Sequence, residues 1–301
     1  MSGGVADHYD EFSLIEENAT EVGLAWSGPP TVRREFVEVA PNRFVSALVW
    51  GVEPAQVVLI HGGGQNAHTW DTVAMMLNRP LLAIDMPGHG HSGGGPDGVL
   101  SAAGNAADLA KVIAALAPDA VGVVGMSLGG LSCIALAAQA PELVRALVLV
   151  DVTPGVDAEK SAPIHAFIDG PASFANFDEL LARTIEHNPT RSVSSLRRGI
   201  LHNAVQREDG SWVWRYARFR GAESGGAPDF TELWDAVAGL KMPILLVRGL
   251  AWSVVGDDDV VELLRLQPSA RVIGVEGAGH SIQGDQPAEL ASILSDFLFP
   301  S

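Results

Sequence analysis

Gly125-Met126-Ser127-Leu128-Gly129 follows the β-branched run Val121–Val124 and opens Leu128–Ala140, an apolar stretch of helix-forming composition. A strand that passes straight into a helix through one residue bends that residue sharply, so small residues two before and two after it keep the turn free of clashes. The residue at this bend is a serine. The helix behind it aims its first N–H groups at the turn and favours negative charge there. A glycine-rich turn with a surface serine has the same letters; the flanking strand and helix make Ser127 a candidate nucleophile.

Outward from this turn the strand–helix rhythm repeats. VVLI (57–60), LLAI (81–84), ALVLV (146–150), ILLVR (244–248) and RVIGV (271–275) are continuous apolar runs, the pattern of parallel strands covered on both faces. Arg33–Val39 and Phe44–Trp50 flank the turn Ala40-Pro41-Asn42-Arg43 and predict an antiparallel hairpin at the sheet edge. Ala106–Leu116 and Pro287–Phe297 are further helices, and the alternation implies an α/β sandwich with right-handed crossovers. Between Pro154 and Leu240 the rhythm stops. Helical candidates remain (Phe177–His187, Ser194–Ala204, Phe230–Ala238), with Trp212, Trp214, Tyr216, Phe219 and Trp234 among them. A connection this long far exceeds the usual ~4–6 residues. Residues 154–240 are therefore expected to form an inserted, mostly helical cap over a core of 1–153 and 241–301. Gly93-Gly94-Gly95-Pro96 and Gly225-Gly226-Ala227-Pro228 read as loops.

Composition narrows the function. The 301 residues carry 19 Lys+Arg against 36 Asp+Glu, a net charge of −17, with 47% hydrophobic and 18% charged residues. So apolar a chain folds, and so negative a surface opposes nucleic acid and anionic membranes. The single cysteine, Cys133, excludes an internal disulfide and a thiolate-based zinc site. No apolar run reaches the ~18–20 residues of a membrane span, and Met1–Asp10 lacks a signal peptide's basic and apolar regions. A cytoplasmic protein acting on a small molecule is expected, its oligomeric state open, a homodimer included.

Two further stretches complete a chemistry. His61-Gly62-Gly63-Gly64 ends the strand VVLI, and acyl transfer develops an oxyanion that two fixed N–H groups can stabilise. Leu128, following the nucleophile, supplies one; Gly63 is expected to supply the other. His61 itself reads as structural. Gly277-Ala278-Gly279-His280-Ser281 follows the strand RVIGV, and its glycine-flanked loop lets an imidazole reach a serine on a neighbouring strand end. Of nine histidines, His280 alone joins that placement to the order Ser…His, so it is the expected general base. His89 and His91 in Asp85-Met86-Pro87-Gly88-His89-Gly90-His91-Ser92 read as turn-forming, and no HExxH spacing points to a metal.

Together HGGG, DMPGHGHS, GMSLGG and GAGHSIQGDQP make the chain resemble the α/β-hydrolase family over essentially its whole length. The resemblance implies an eight-stranded, mostly parallel sheet flanked by helices, a helical cap after the sixth strand, no cofactor, and cleavage of ester-like bonds. Serine at the nucleophile position sets it apart from the dehalogenases and epoxide hydrolases of similar sequence, which carry aspartate there. One departure concerns the third member of a triad. The family commonly places its acid three residues beyond a glycine after the seventh strand, and here that position is Trp252. Asp151, at the end of ALVLV, is the favoured replacement, since some relatives take the acid from that strand end. Asp257, in Asp257-Asp258-Asp259, is the alternative, although acids opening Val260–Leu266 also complement a helix N-terminus.

The leading expectation is a cofactor-independent serine hydrolase of a carboxylic ester, thioester or lactone, working through an acyl-enzyme. Cleavage of a carbon–carbon bond by the same residues is one alternative; a non-catalytic ligand-binding protein is another, favoured only by the missing acid after the seventh strand. Trp214 and Tyr216, in the alternating run Trp212–Tyr216, are candidates to line an apolar acyl pocket, with packing of the cap as the equal alternative. Cys133 reads as a buried structural thiol.

Overall fold

Apolar runs without alternation need cover on both faces, and the computed structural model, which describes residues 9–94, 101–156, 158–188, 191–217 and 230–300, provides it. In chain order the strands are β1 (Val32–Ala40), β2 (Arg43–Trp50), β3 (Val57–Ile60), β4 (Leu81–Ile84), β5 (Gly122–Met126), β6 (Leu147–Val150), β7 (Ala204–Gln206), β8 (Trp212–Trp214), β9 (Ile244–Gly249) and β10 (Arg271–Val275). Eight form one sheet in the order β1-β2-β4-β3-β5-β6-β9-β10. The β1–β2 hairpin and the β2–β4 pair are antiparallel, and every other neighbour is parallel. Every residue of β3, β4, β5 and β6 is buried.

The helices are α1 (Ile15–Glu21), α2 (Asp71–Leu77), α3 (Ala102–Leu116), α4 (Leu128–Gln139), α5 (Ala158–Ile168), α6 (Phe177–His187), α7 (Val193–Asn203), α8 (Leu233–Gly239), α9 (Asp257–Leu266), α10 (Ile282–Asp285) and α11 (Pro287–Leu298). Alternate strand residues split between two cores. Val58, Ile60, Val123, Leu147 and Leu246 meet α3, α4, α8 and α9, while Leu59, Val124, Val148, Leu245 and Val247 meet α2 and α11. A third, smaller core of Phe174, Leu180, Ile200, Leu201, Ala204 and Trp212 lies between β6 and β9 in sequence. That stretch contains one pairing absent from the sequence reading, the antiparallel β7–β8 hairpin. Its last helix, α8, buries Val237 in the main core beside α4. Phe219, Gly95-Pro96 and Gly225–Pro228 lie outside the described residues.

Register brings the chemistry to one edge. β5 pairs with β3 and β6, and β6 pairs with β9, so the carboxyl ends of these four strands lie side by side. Ser127, Asp151 and the His61–Gln65 loop all leave from those ends, where ligands bind in open parallel sheets.

The chain ahead of β1 is tied to this edge by charge. Arg34 on β1 pairs with Glu11 at 2.5 Å and with the buried Asp85 at 2.7 Å. His68 bonds Asp71 at 2.8 Å and Glu11 at 3.0 Å, and its ring stacks on His202 of α7 at 3.9 Å. Burial opposes charge on His68, but Asp71 and Glu11 outweigh it and lift its pKa to about 9. A folded pKa above the ordinary ~6.5 gives stability that is complete below pH 6.5 and fades as the pH climbs towards 9. Glu11, held down to about 2 against its burial by His68 and Arg34, stays ionised throughout that window. His68→Gln is therefore expected to lower the urea midpoint most at pH 6 and least at pH 9. A gap of equal size at both, measured by tryptophan fluorescence, contradicts this network.

Candidate active site

Ser127 sits where β5 becomes α4, at φ 52° and ψ −126°, a conformation that costs a non-glycine residue on the order of 1–3 kcal/mol. The surroundings hold it there. Its N–H donates to Val150 O at 3.3 Å, and its carbonyl accepts from Leu131 N at 3.1 Å. A Cβ on Gly125 would lie 2.6 Å from the Cys133 Sγ, and one on Gly129 would run into the carbonyls of Ile60 and His61. Gly125 lets α4 press against β5, and Gly129 lets it press against β3 and the His61 loop, as the pattern of small residues around the bend requires.

The loop after β3 leaves one donor uncommitted. Gly62 N–H donates to Gln65 Oε1 at 3.2 Å, and Gly64 N–H donates to His89 Nε2 at 3.1 Å. Among the described residues neither Gly63 N–H nor Leu128 N–H has such a partner, and both residues line a cavity with Ser127. His61 is fully buried and accepts from Met86 N–H at 2.9 Å. Burial pushes its pKa down and takes that of His89 to about 3, so both rings serve as neutral struts.

The two candidate acids sit in different surroundings. Asp151 is fully buried at φ 49°, immediately after β6. Its Oδ2 accepts from His280 Nδ1 at 2.8 Å and from Val254 N–H at 3.2 Å; its Oδ1 accepts from Gly249 N–H at 3.0 Å and from Ser253 Oγ at 2.5 Å. The bond to Asp151 fixes the proton on Nδ1 and leaves Nε2 as the basic nitrogen. Asp257 lies elsewhere, 90% exposed on the first turn of α9 and paired with Arg248 at 2.5 Å. The Arg248 guanidinium holds its carboxyl below the usual range. The helix start is closed by Asp259, which takes the Gly256 N–H at 2.9 Å.

Trp252, where the family pattern has its acid, turns its ring edge-to-face with His280 at 6.0 Å and is 39% exposed. Ser253 and the backbone of Val254 hold Asp151 and were not singled out from sequence; the Trp252-Ser253-Val254 run after β9 was the available signal.

Ser127 and His280 face two lobes of open space. One, of about 270 Å³, is lined by Leu128, Leu131, Val152, Ile164, Ile168 and Val254. The other, of about 1130 Å³, has more polar groups on its wall and takes in Trp214, Trp252, Arg191, Asn188 and Asp285. The aromatic expectation thus divides. Trp214 reaches the polar lobe, whereas Tyr216 lines neither lobe among the described residues. A bridge to His89 draws Tyr216 onto the loop after β4, where its ring stacks between His89 and Trp214.

Donor atoms of His68, Asp71 and His202 lie within 4.8 Å of one another. Stacked rings send their in-plane lone pairs along parallel planes rather than to one point, and both nitrogens of His68 already bond carboxylates.

The two carboxylates make different predictions. Asp151→Asn is expected to lower kcat by about 10³–10⁴ with little change in KM, because it disturbs the imidazole tautomer. Asp257→Asn should keep wild-type kcat within twofold. Steady-state kinetics with one ester decide; a silent Asp151→Asn overturns the assignment.

The sequence model of the alpha/beta hydrolase family matches residues 57–293. The chain is similar to a protein named esterase Rv0045c of Mycobacterium tuberculosis, 46% identical over 298 residues that cover 96% of each chain. A crystal structure of Rv0045c superposes with a TM-score of 0.84 at 45% identity, covering 99% of both chains. More distant is an sn-1-specific diacylglycerol lipase, ABHD11, of Xenopus laevis, 26% identical over 80% of this chain and 79% of its own. With the family model spanning most of the sheet and a relative this similar from end to end, the chain belongs to the alpha/beta hydrolase family.

Proposed function

We propose that this protein is a serine esterase in which Ser127 is the nucleophile, His280 the general base and acid, and Asp151 the residue that orients and stabilises the imidazole. The 2.8 Å bond between His280 Nδ1 and the buried Asp151 carries the reading, because it leaves Nε2 as the acceptor nitrogen of a ring that shares a cavity with a serine on a strained turn. His280 takes the Ser127 proton as Oγ attacks the carbonyl carbon. The Gly63 and Leu128 N–H groups hold the oxyanion. His280 then protonates the leaving oxygen, and water, deprotonated by the same ring, releases the acid. An ester is preferred to a carbon–carbon bond because the relative at 46% identity bears the name esterase. The ligand-binding alternative drew on a missing acid, and Asp151 removes its motive.

Residues 154–240 act as the cap: Ile164 and Ile168 of α5 and Trp214 of β8 lie over the serine. Of the loop bearing His280, only His280 lines the apolar lobe, while Gly277, Gly279, Ser281, Gln283, Gly284 and Asp285 line the polar one. Because the rest of the His280 loop lies on the polar lobe, we assign the leaving group to that lobe and the acyl chain to the apolar one. The substrate is a small molecule. No helix among the described residues is long and apolar enough to cross a membrane. We place the protein in the cytoplasm on its sequence.

Two measurements test this. A fluorophosphonate should add one adduct mass on Ser127, absent in Ser127→Ala; an adduct elsewhere, or full esterase activity in that variant, sinks the reading. Across p-nitrophenyl esters, kcat/KM should rise about fourfold per methylene, the ~0.8 kcal/mol of a buried CH₂, until the apolar lobe is full. Ile164→Phe should move that optimum to shorter chains, and an unmoved optimum would remove α5 from the acyl pocket.

A further inference from the structure

The polar lobe contains two arginines in different circumstances. Arg198 is buried and doubly paired, with Glu17 at 2.8 Å and with Glu21. Arg191 is held in place but only loosely ion-paired. Its Nη2 donates to Ser195 Oγ at 2.7 Å, and among the described residues the carboxylate in ion-pair range, Asp285, stands 3.8 Å from Nη1, beyond hydrogen-bond reach. Asp285 already accepts the Gly279 N–H at 2.9 Å, and Glu21 already holds Arg198. The guanidinium rests on Gly284, four residues past His280, where a Cβ would run into it. Burial weighs against its charge more than Asp285 and Glu21 support it, which lowers its pKa from the usual range.

A planar cation so held, on the wall of the leaving-group lobe and against the loop that carries the base, suits a ligand oxyanion. Arginine's fork of N–H donors matches carboxylate and phosphate, and a charge-assisted hydrogen bond is worth more than a neutral one. On a chain of net charge −17 the overall field repels anions, so an anionic substrate needs a local cation of this kind. Glu186, also on this lobe, restricts the anion to the Arg191 side.

We propose that Arg191 is a specificity residue that binds an anionic group on the leaving half of the substrate, so that the preferred substrates are esters of alcohols carrying a carboxylate or a phosphate-like group. The placement of the leaving half rests on the esterase reading above; the anion site itself does not. Three butyrate esters test it, those of 4-hydroxyphenylacetate, 4-hydroxybenzylphosphonate and the neutral 4-hydroxyphenylacetamide. Wild type should show kcat/KM at least tenfold higher for one of the anionic esters than for the amide, and the better one tells carboxylate from phosphate. Arg191→Gln should bring that ratio near one, with Arg191→Lys between. A wild-type ratio near one, or a ratio undiminished in Arg191→Gln, overturns the proposal. Calorimetric binding of the free phenols to wild type reads the same site without turnover, and equal affinity for all three also overturns it. Tight anion binding without hydrolysis of any ester would sink the esterase reading and leave the anion site standing.

Discussion

Asp151 is a carboxylate with no access to water, and an isolated buried charge of that kind is among the most unfavourable features a fold can carry. Four donors satisfy it: two backbone N–H groups and a serine hydroxyl from the segment at the end of β9, and the imidazole of His280. Those donors come from segments separated from Asp151 by roughly a hundred residues of sequence and more. The carboxylate therefore fixes the end of β6, the turn after β9 and the loop after β10 relative to one another. Removing any one donor leaves the others to carry an under-solvated charge, so the site is rigid as a unit.

The second constraint is backbone strain, and it acts on the same edge. Ser127 and Asp151 both adopt positive φ, each directly after a buried strand, β5 and β6, and these strands are neighbours. Each bend turns a side chain away from the sheet and towards the loops above it. Strain at Ser127 is supported by contacts that only glycine permits, since Gly125 lets α4 lie close on β5 and Gly129 lets it lie close on β3. Stability in the sheet is thus converted into position at the serine, and the two free N–H groups of Gly63 and Leu128 inherit that position.

What the sequence could reveal follows from how far apart the interacting groups lie in it. The inner strands were legible because burial on both faces leaves continuous apolar runs, and the eight-stranded sheet was what the family resemblance implied. Ser127 and His280 could be singled out as candidates because each sits in a local pattern of five residues. Asp151 could be reached only through the neighbourhood of strands, and Ser253, 102 residues away, is marked only by its place in the run after β9. The aromatic run from Trp212 to Tyr216 left its role open, because alternation says which side chains share a face but not what that face meets. Here Tyr216 meets His89 and only Trp214 meets open space. The apolar lobe was missed altogether. Ile164 and Ile168 form one turn of α5, and nothing in their spacing says that the turn lies over the serine.

The central claim is that Ser127, His280 and Asp151 act as one unit through a shared proton path, and a double-mutant cycle in kcat tests it most directly. With Asp151→Asn, His280→Ala and the double variant measured on one ester, the account predicts that the double variant loses no more than His280→Ala alone, because the carboxylate works only through the ring. Losses that multiply in the double variant would mean that Asp151 acts apart from His280, and would contradict the account.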